Sequence, residues 1–247
     1  MISIICAFNN KDMLEECLIS SLKKQSYKDF EKIMVDTKKL ELKSASSALN
    51  YGASIAKGDL LVFCHQDIVL TDVDFLKRLV DLSSQLEFGV LGVAGTEIGS
   101  NTVITNIFHG SEKTLSGNKT IALPTQAESV DECFFAIKKE KFSGFTDYGN
   151  VWHLYAVDYC YKARFENNQD IFVLPLELYH VSPGYSLDIS FYTTFKKVVK
   201  KYKKYTRIFS STCYFCENNF FVFLKIDISM LKFKIKKMLK KVKERLR

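Results

Sequence analysis

Residues 62–70 read VFCHQDIVL, an apolar run that an imidazole, an amide and a carboxylate interrupt before apolar residues resume. His65, Gln66 and Asp67 are either a strand end meeting water or polar atoms gathered for chemistry. Two further stretches raise the same question. SVDECFF sets Asp131 and Glu132 among apolar residues, where a buried carboxylate needs a partner. VWHLYAVD then brings Trp152, His153, Tyr155 and Asp158 close together, and an imidazole such as that of His153 has an ordinary pKa suited to general-base work. Simpler sites are excluded. The chain has no G-x-x-x-x-G-K-[ST] and no G-x-G-x-x-G after its first apolar run, and Cys213-Tyr-Phe-Cys216 lacks the second pair that a zinc site needs.

The elements that must position these residues follow from apolar spacing. MISIICAF (1–8) is β-branched and continuously apolar, as in a parallel strand covered on both faces, and Asn9 to Asp12 break it. Met13, Leu14, Cys17, Leu18 and Leu22 then form a helical stripe, with Asn9 as the expected cap. FEKIMV (30–35) predicts a second strand closed by Asp36, SALNYGASIAKG a helix stopped by Gly58, and DLLVFC (59–64) a third strand with the HQD triplet at its carboxyl end. Strand, helix, strand, helix, strand predicts a parallel α/β sheet whose ligands bind beyond the carboxyl ends of the strands. The triplet stands there. A helix over 72–86, a strand in FGVLGVAG, an irregular or hairpin segment over 97–126, a strand over 129–138, a helix over 151–166 and a strand over 170–174 complete the expected order.

In their order SIICAFNN, a strand ending in VD, and NYGASIAKGDLLVFCHQD, these motifs resemble the nucleotide-sugar half of inverting family-two glycosyltransferases with the GT-A fold. HQDIVL, SVDECFFAIKKEKF, GFTDYGNVWHLYAVDYCYKA and LPLELYHVSPGYS are similar to a bacterial subgroup in which HQD replaces the usual D-x-D. The resemblance covers residues 1–190. It implies a Rossmann-like mixed sheet flanked by helices, divided into a nucleotide-sugar half (1–96) and an acceptor half (97–190).

The resemblance also assigns roles. Asp67 would meet a Mn²⁺ or Mg²⁺ ion with His180 as the second ligand, and His65 and Gln66 would face the ribose or a phosphate or orient Asp67. Ala7, Phe8, Asn9 and Asn50 would line the donor, and Asp36 would either accept from a uracil or thymine ring of a UDP- or dTDP-linked sugar or be an ordinary strand end. The Glu-Asp pair that supplies the base in the wider family is replaced by Tyr155 and Ala156, so the base falls to Asp158 first, His153 second and Asp131 third. Asp131 and Glu132 would bind hydroxyls of the transferred sugar or the acceptor, and Trp152 and Tyr155 are faces for a sugar ring or core aromatics. The implied activity is hexosyl transfer to a lipopolysaccharide, capsule or other lipid-linked glycan. The alternative is a catalytically decayed member of the fold that still binds nucleotide or carbohydrate.

Composition bounds the rest. The 247 residues and a 47% hydrophobic content exclude a mostly disordered chain. Seven scattered cysteines, no basic lead before the first apolar run and no run of about 18 apolar residues predict a reducing, cytoplasmic setting. Charge is uneven: residues 1–194 carry 18 Lys and Arg against 25 Asp and Glu, whereas 195–247 carry 17 against 3. Residues 191–247 therefore read as a basic tail. Within it Leu231, Ile235, Met238, Leu239, Val242 and Leu246 share a helical stripe framed by Lys and Arg, which predicts docking on the anionic inner face of the plasma membrane. A homo-oligomer is the alternative, and a nucleic-acid partner is not expected.

Overall fold

The computed structural model describes residues 1–110, 112–182 and 187–245, with side chains through Leu239. The first half follows the expected βαβαβ order: β1 (Ile2–Phe8), α1 (Lys11–Leu14), a π-helical turn (Glu15–Ile19), α2 (Ser20–Lys23), β2 (Phe30–Asp36), α3 (Ala45–Ile55) and β3 (Leu60–Cys64). Beyond the HQD triplet come β4 (Ile68–Leu70), α4 (Phe75–Gln85), β5 (Val90–Gly92), β6 (Ala94–Glu97), β7 (Val103–Thr105), β8 (Ile107–His109) and β9 (Thr114–Leu115). The remainder is β10 (Thr125–Val130), β11 (Phe134–Lys138), α5 (Tyr155–Asn167), β12 (Ile171–Val173), β13 (Leu178–His180), α6 (Ile189–Tyr202), the hairpin β14 (Ile208–Ser211) and β15 (Tyr214–Glu217), and α7 (Val222–Arg245).

β1 lies between β2 and β3, all parallel, in a nine-stranded mixed sheet of order β2-β1-β3-β11-β5-β12-β10-β6-β7. The apolar runs are continuous because both faces are covered. Ile4, Cys6, Val62 and Cys64 pack in the core toward α1, α2 and α4, while Ile5, Leu61 and Phe63 pack in the core toward α3 and α5. A second sheet, β4-β13-β8-β9, pairs β13 antiparallel to β4, with His180 opposite Ile68. That register carries a residue 113 positions downstream back to the triplet.

Three boundaries differ from the expected ones for local reasons that shape the site. The strand expected over 129–138 is two strands in separate places in the sheet, because the Asp131 carboxylate accepts from Cys133 N–H at 2.9 Å and turns the chain. The helix expected from Val151 begins at Tyr155. Val151 O instead accepts from Ala45 N–H, and Leu154 sits in the left-handed region with φ 70° although it has a side chain. The cap of α1 is Asn10, whose side chain accepts from Met13 N–H, and not Asn9.

The expected division at residue 190 is also corrected. Phe191, Phe195, Val198, Val199 and Tyr202 of α6 pack with Leu154, Val157 and Tyr161, and with Phe209, Cys216, Val222 and Ile226 beyond them, in one buried cluster. The basic side chains of this segment face outward while its apolar face completes the core. Ser210 Oγ lies 2.7 Å from Thr96 Oγ1, tying the hairpin to the main sheet. α7 is anchored by Val222 and Ile226, and other apolar side chains along it face solvent. Leu224, Ile228, Leu231, Ile235, Met238 and Leu239 are all exposed along it, as are Phe220 and Phe221 just before it. Val242 and Leu246 of the expected stripe lie outside the described side chains.

Candidate active site

The carboxyl ends of β1 and β3, the start of β4, the β10–β11 turn, the segment before α5, the end of β13 and the β14–β15 turn surround one cavity of about 570 Å³. At its centre are His65, Asp67 and His180, each able to offer one ligand atom, all within 4.8 Å of one another. Asp67 Oδ1 is 3.3 Å from His180 Nε2, and the His65 and His180 rings stand 5.7 Å apart. Backbone geometry locks the group: His65 N–H donates to Cys133 O and Val181 N–H to Asp67 O, both at 2.9 Å.

Electrostatics follow from this packing. Burial opposes ionisation of Asp67, but His180 overrides it and holds the carboxyl well below the usual range. Burial and the neighbouring His180 push His65 down, while for His180 the attraction of Asp67 exceeds the cost of burial and moves it up. A carboxylate and two imidazoles converging here are a donor set for a divalent cation, which would displace the proton that Asp67 favours on His180. These residues fit the ion that the sequence implies. His65 is the ligand candidate that the D-x-D comparison left undefined.

Gln66 has a different task. Its Oε1 accepts from Asn9 N–H and Asn10 N–H at 3.1 and 3.0 Å, and its Nε2 donates to Asn9 Oδ1, so it pins the loop after β1 to the triplet. Ala7, Phe8 and Asn9 line the cavity as expected, together with Thr37, whose hydroxyl donates to Phe8 O. Asp36 and Asn50 do not line it. Asp36 accepts from the backbone N–H of Lys38 and Lys39, and Asn50 clasps Phe145 through both backbone groups. These two polar side chains shape loops, so their sequence assignment to the donor is not matched by their position.

Asp131, Glu132, Trp152 and His153 also line the cavity. Burial disfavours a charged Asp131, but the Thr212 hydroxyl, 2.5 Å away, and Cys133 N–H hold it below the usual carboxylate range. Glu132 goes the other way, raised by burial despite His153 Nδ1 at 3.7 Å from its Oε2. Trp152 is 41% exposed and offers a face to a ring; Tyr155 is buried among Phe135 and Phe145 and serves the core.

Asp158, first choice for the base, is not in the cavity. It is 1% exposed, one turn into α5, where Thr146 and Tyr148 donate to it at 2.6 and 2.8 Å and Lys201 reaches it at 3.2 Å. A carboxylate so occupied ties α5 to α6 and to the loop before it. Sequence reasoning missed Thr212, Cys213, Ser182 and Asp188, which also line the cavity. The first two sit in a hairpin turn whose only signal was a polar pair between two short apolar runs.

Comparison with known proteins agrees with this architecture. A glycosyltransferase-like family matches residues 3–210. A curated relative from Fuscovulum blasticum, the "ATP synthase subunits region ORF 6" protein, is 25% identical over 157 residues, covering 60% of this chain and 61% of its own length. The chain thus spans less than two thirds of that relative. Among solved structures, GalNAc-T7 with UDP, GalNAc and Mn²⁺ superposes with a TM-score of 0.57 at 13% identity, over 81% of this chain and 48% of that one. S. aureus TarS with UDP-GlcNAc gives 0.56 at 13% over 81% and 66%, and the mannosyltransferase PcManGT from Pyrobaculum calidifontis with GDP-Man and Mn²⁺ gives 0.53 at 14% over 82% and 63%. At these identities the likeness establishes the GT-A fold. With a family match running from β1 into the hairpin that carries Thr212, the chain belongs to the glycosyltransferase-like family.

Proposed function

We propose that the chain is a metal-dependent, inverting glycosyltransferase that moves a sugar from a nucleoside-diphosphate donor, UDP- or dTDP-linked, to a hydroxyl of a cell-surface glycan or lipid-linked acceptor. The observation that carries this reading is the His65, Asp67, His180 donor set at the carboxyl end of β3, inside the one cavity that Ala7, Phe8 and Thr37 also line. His65, Asp67 and His180 would hold Mn²⁺ or Mg²⁺, which would supply neutralisation of the charge that develops on a departing diphosphate. Phe8 and Thr37 form the floor for base and ribose, Gln66 fixes that floor against the triplet, and Asp131 accepts from hydroxyls of the bound sugar. Trp152 stacks on the acceptor ring. Inversion requires the acceptor to approach from the face opposite the nucleotide, and Glu132, Trp152 and His153, which line the same cavity, are read as receiving it.

A panel of UDP-, dTDP- and GDP-sugars tests this by thermal stabilisation with and without Mn²⁺. A ligand at about 100 times its Kd adds about 2.7 kcal/mol, roughly 5–10 °C for a chain of this size. Stabilisation by one nucleotide class, dependent on Mn²⁺ and reversed by chelator, is the expected result. No shift with any donor sinks the proposal.

The same reading accounts for α7, whose exposed apolar stripe is framed by Lys225, Lys232, Lys234, Lys236 and Lys237. No helix among the described residues is long and apolar enough to cross a membrane, so α7 is read as lying on one. Vesicles rich in phosphatidylglycerol are expected to sediment the protein and phosphatidylcholine vesicles not. The double variant L231E/I235E is expected to remove the binding. Equal affinity for DNA, or dimerisation without lipid, would replace this reading.

A further inference from the structure

The β10–β11 turn sets two carboxylates side by side in the cavity wall, and their surroundings drive them apart. Asp131 already has its partners, Thr212 Oγ1 and Cys133 N–H. Glu132 does not: its Oε1 is buried without a hydrogen-bond partner, while its Oε2 faces His153 Nδ1 at 3.7 Å. Their side chains are 14% and 16% exposed, so the pair meets the cavity while bulk water is mostly excluded. The chain accepts backbone strain to place it. Leu154, next to His153, holds φ 70° with its side chain 1% exposed, a conformation costing about 1–2 kcal/mol for a residue with a Cβ.

We propose that Glu132 and His153 act as one proton-accepting pair, the general base for the transfer reaction. The inference rests on the glycosyltransferase reading above and names the residues that perform its proton step. The acceptor hydroxyl passes its proton to the His153 ring, whose Nδ1 is turned toward Glu132. The hydroxyl oxygen forms its bond to the anomeric carbon, the anomeric carbon–phosphate oxygen bond breaks, and its electron pair leaves with the nucleoside diphosphate. The Glu132 carboxylate then faces an imidazolium, a charge pair that exists only after proton transfer has begun and so favours the transition state over the ground state. Adjacent groups with opposed tendencies divide the labour: Asp131 is stabilised as a carboxylate to bind hydroxyls, whereas burial raises the proton affinity of the Glu132 carboxylate and so its attraction for the imidazolium. Among the described residues, titratable groups that interact with His153 include Glu132 on the turn, Asp188 at the start of α6 and His65 at the end of β3. Of these three, Glu132 lies at ion-pair distance.

The test uses the donor that most stabilises the full chain, and reads both that stabilisation with Mn²⁺ and the release of nucleoside diphosphate into water. E132Q and H153Q are each expected to keep the stabilisation and lose at least about 100-fold in kcat. Because the two act as a unit, the double variant is expected to fall little further than either one. E132D is expected to recover part of the rate. Removing the carboxylate lowers the proton affinity of the imidazole, so residual E132Q activity is expected to have its acid limb at lower pH. If E132Q fails to fold, H153Q carries the same comparison. Wild-type kcat in E132Q or H153Q, or multiplicative losses in the double variant, overturn the pair alone. A wild type that no donor stabilises, or that releases no diphosphate, overturns the glycosyltransferase reading and the pair with it.

Discussion

Asp67→Asn is expected to abolish transfer while the chain stays folded. Asp67 supplies the carboxylate of the His65, Asp67, His180 set, and its Oδ1 is the atom 3.3 Å from His180 Nε2. The amide keeps the shape and the backbone bond from Val181 N–H to Asp67 O, so β4 and β13 stay paired. What it removes is the negative charge that would hold a cation. Loss of that charge is expected to reduce kcat by roughly 10³-fold, equivalent to about 4 kcal/mol of transition-state stabilisation. Mn²⁺-dependent stabilisation by the donor is expected to disappear with it. Turnover by D67N close to wild type would remove Asp67 from the metal site.

Asp158→Asn is expected to do the opposite, costing stability and sparing chemistry. The wild-type carboxylate is 1% exposed and accepts from Thr146 and Tyr148 while pairing with Lys201. An amide cannot answer the lysine and must turn a donor toward one of the hydroxyls. Lys201 is 35% exposed, so water screens part of its loss, and the expected cost is about 2–3 kcal/mol, or roughly 5–10 °C in Tm. Calorimetry checks the first part. Donor turnover at a temperature where D158N remains folded checks the second. A variant of native stability without activity would return Asp158 to the role of base.

The contrast between these carboxylates shows what a sequence carries and what it does not. Local patterning settles the first half of the fold. Near-continuous burial along SIICAF and LLVFC requires two covered faces, and the helical stripes after each strand supply the covers, so β1, α1, β2, α3 and β3 arise where spacing predicts them. The triplet must then fall at a strand's carboxyl end. Asp67, His180, Ala7 and Phe8 line one cavity. The basic, amphipathic character of α7 is equally local, because it depends only on residue identity at helical spacing.

Placement across the sheet is not local. Asp131 and Asp158 both follow apolar residues, yet a turn closed by Cys133 N–H opens one into the cavity and the first turn of α5 buries the other against Lys201. Asn50 and Asp36 have the right chemistry for a donor and spend it on neighbouring backbone. The segment after residue 190 reads as a separate basic amphipathic tail because its charge outweighs its apolar face in a composition count. Tertiary packing buried that face and delivered Thr212 to Asp131, 81 positions away. The sequence by itself determined the strands and helices of the first half and the triplet, since these depend on periodicity within a few residues. Which carboxylate is solvated, paired or left with a buried orphan oxygen was decided only by the tertiary structure, because desolvation and hydrogen-bond partners come from residues far apart in the chain.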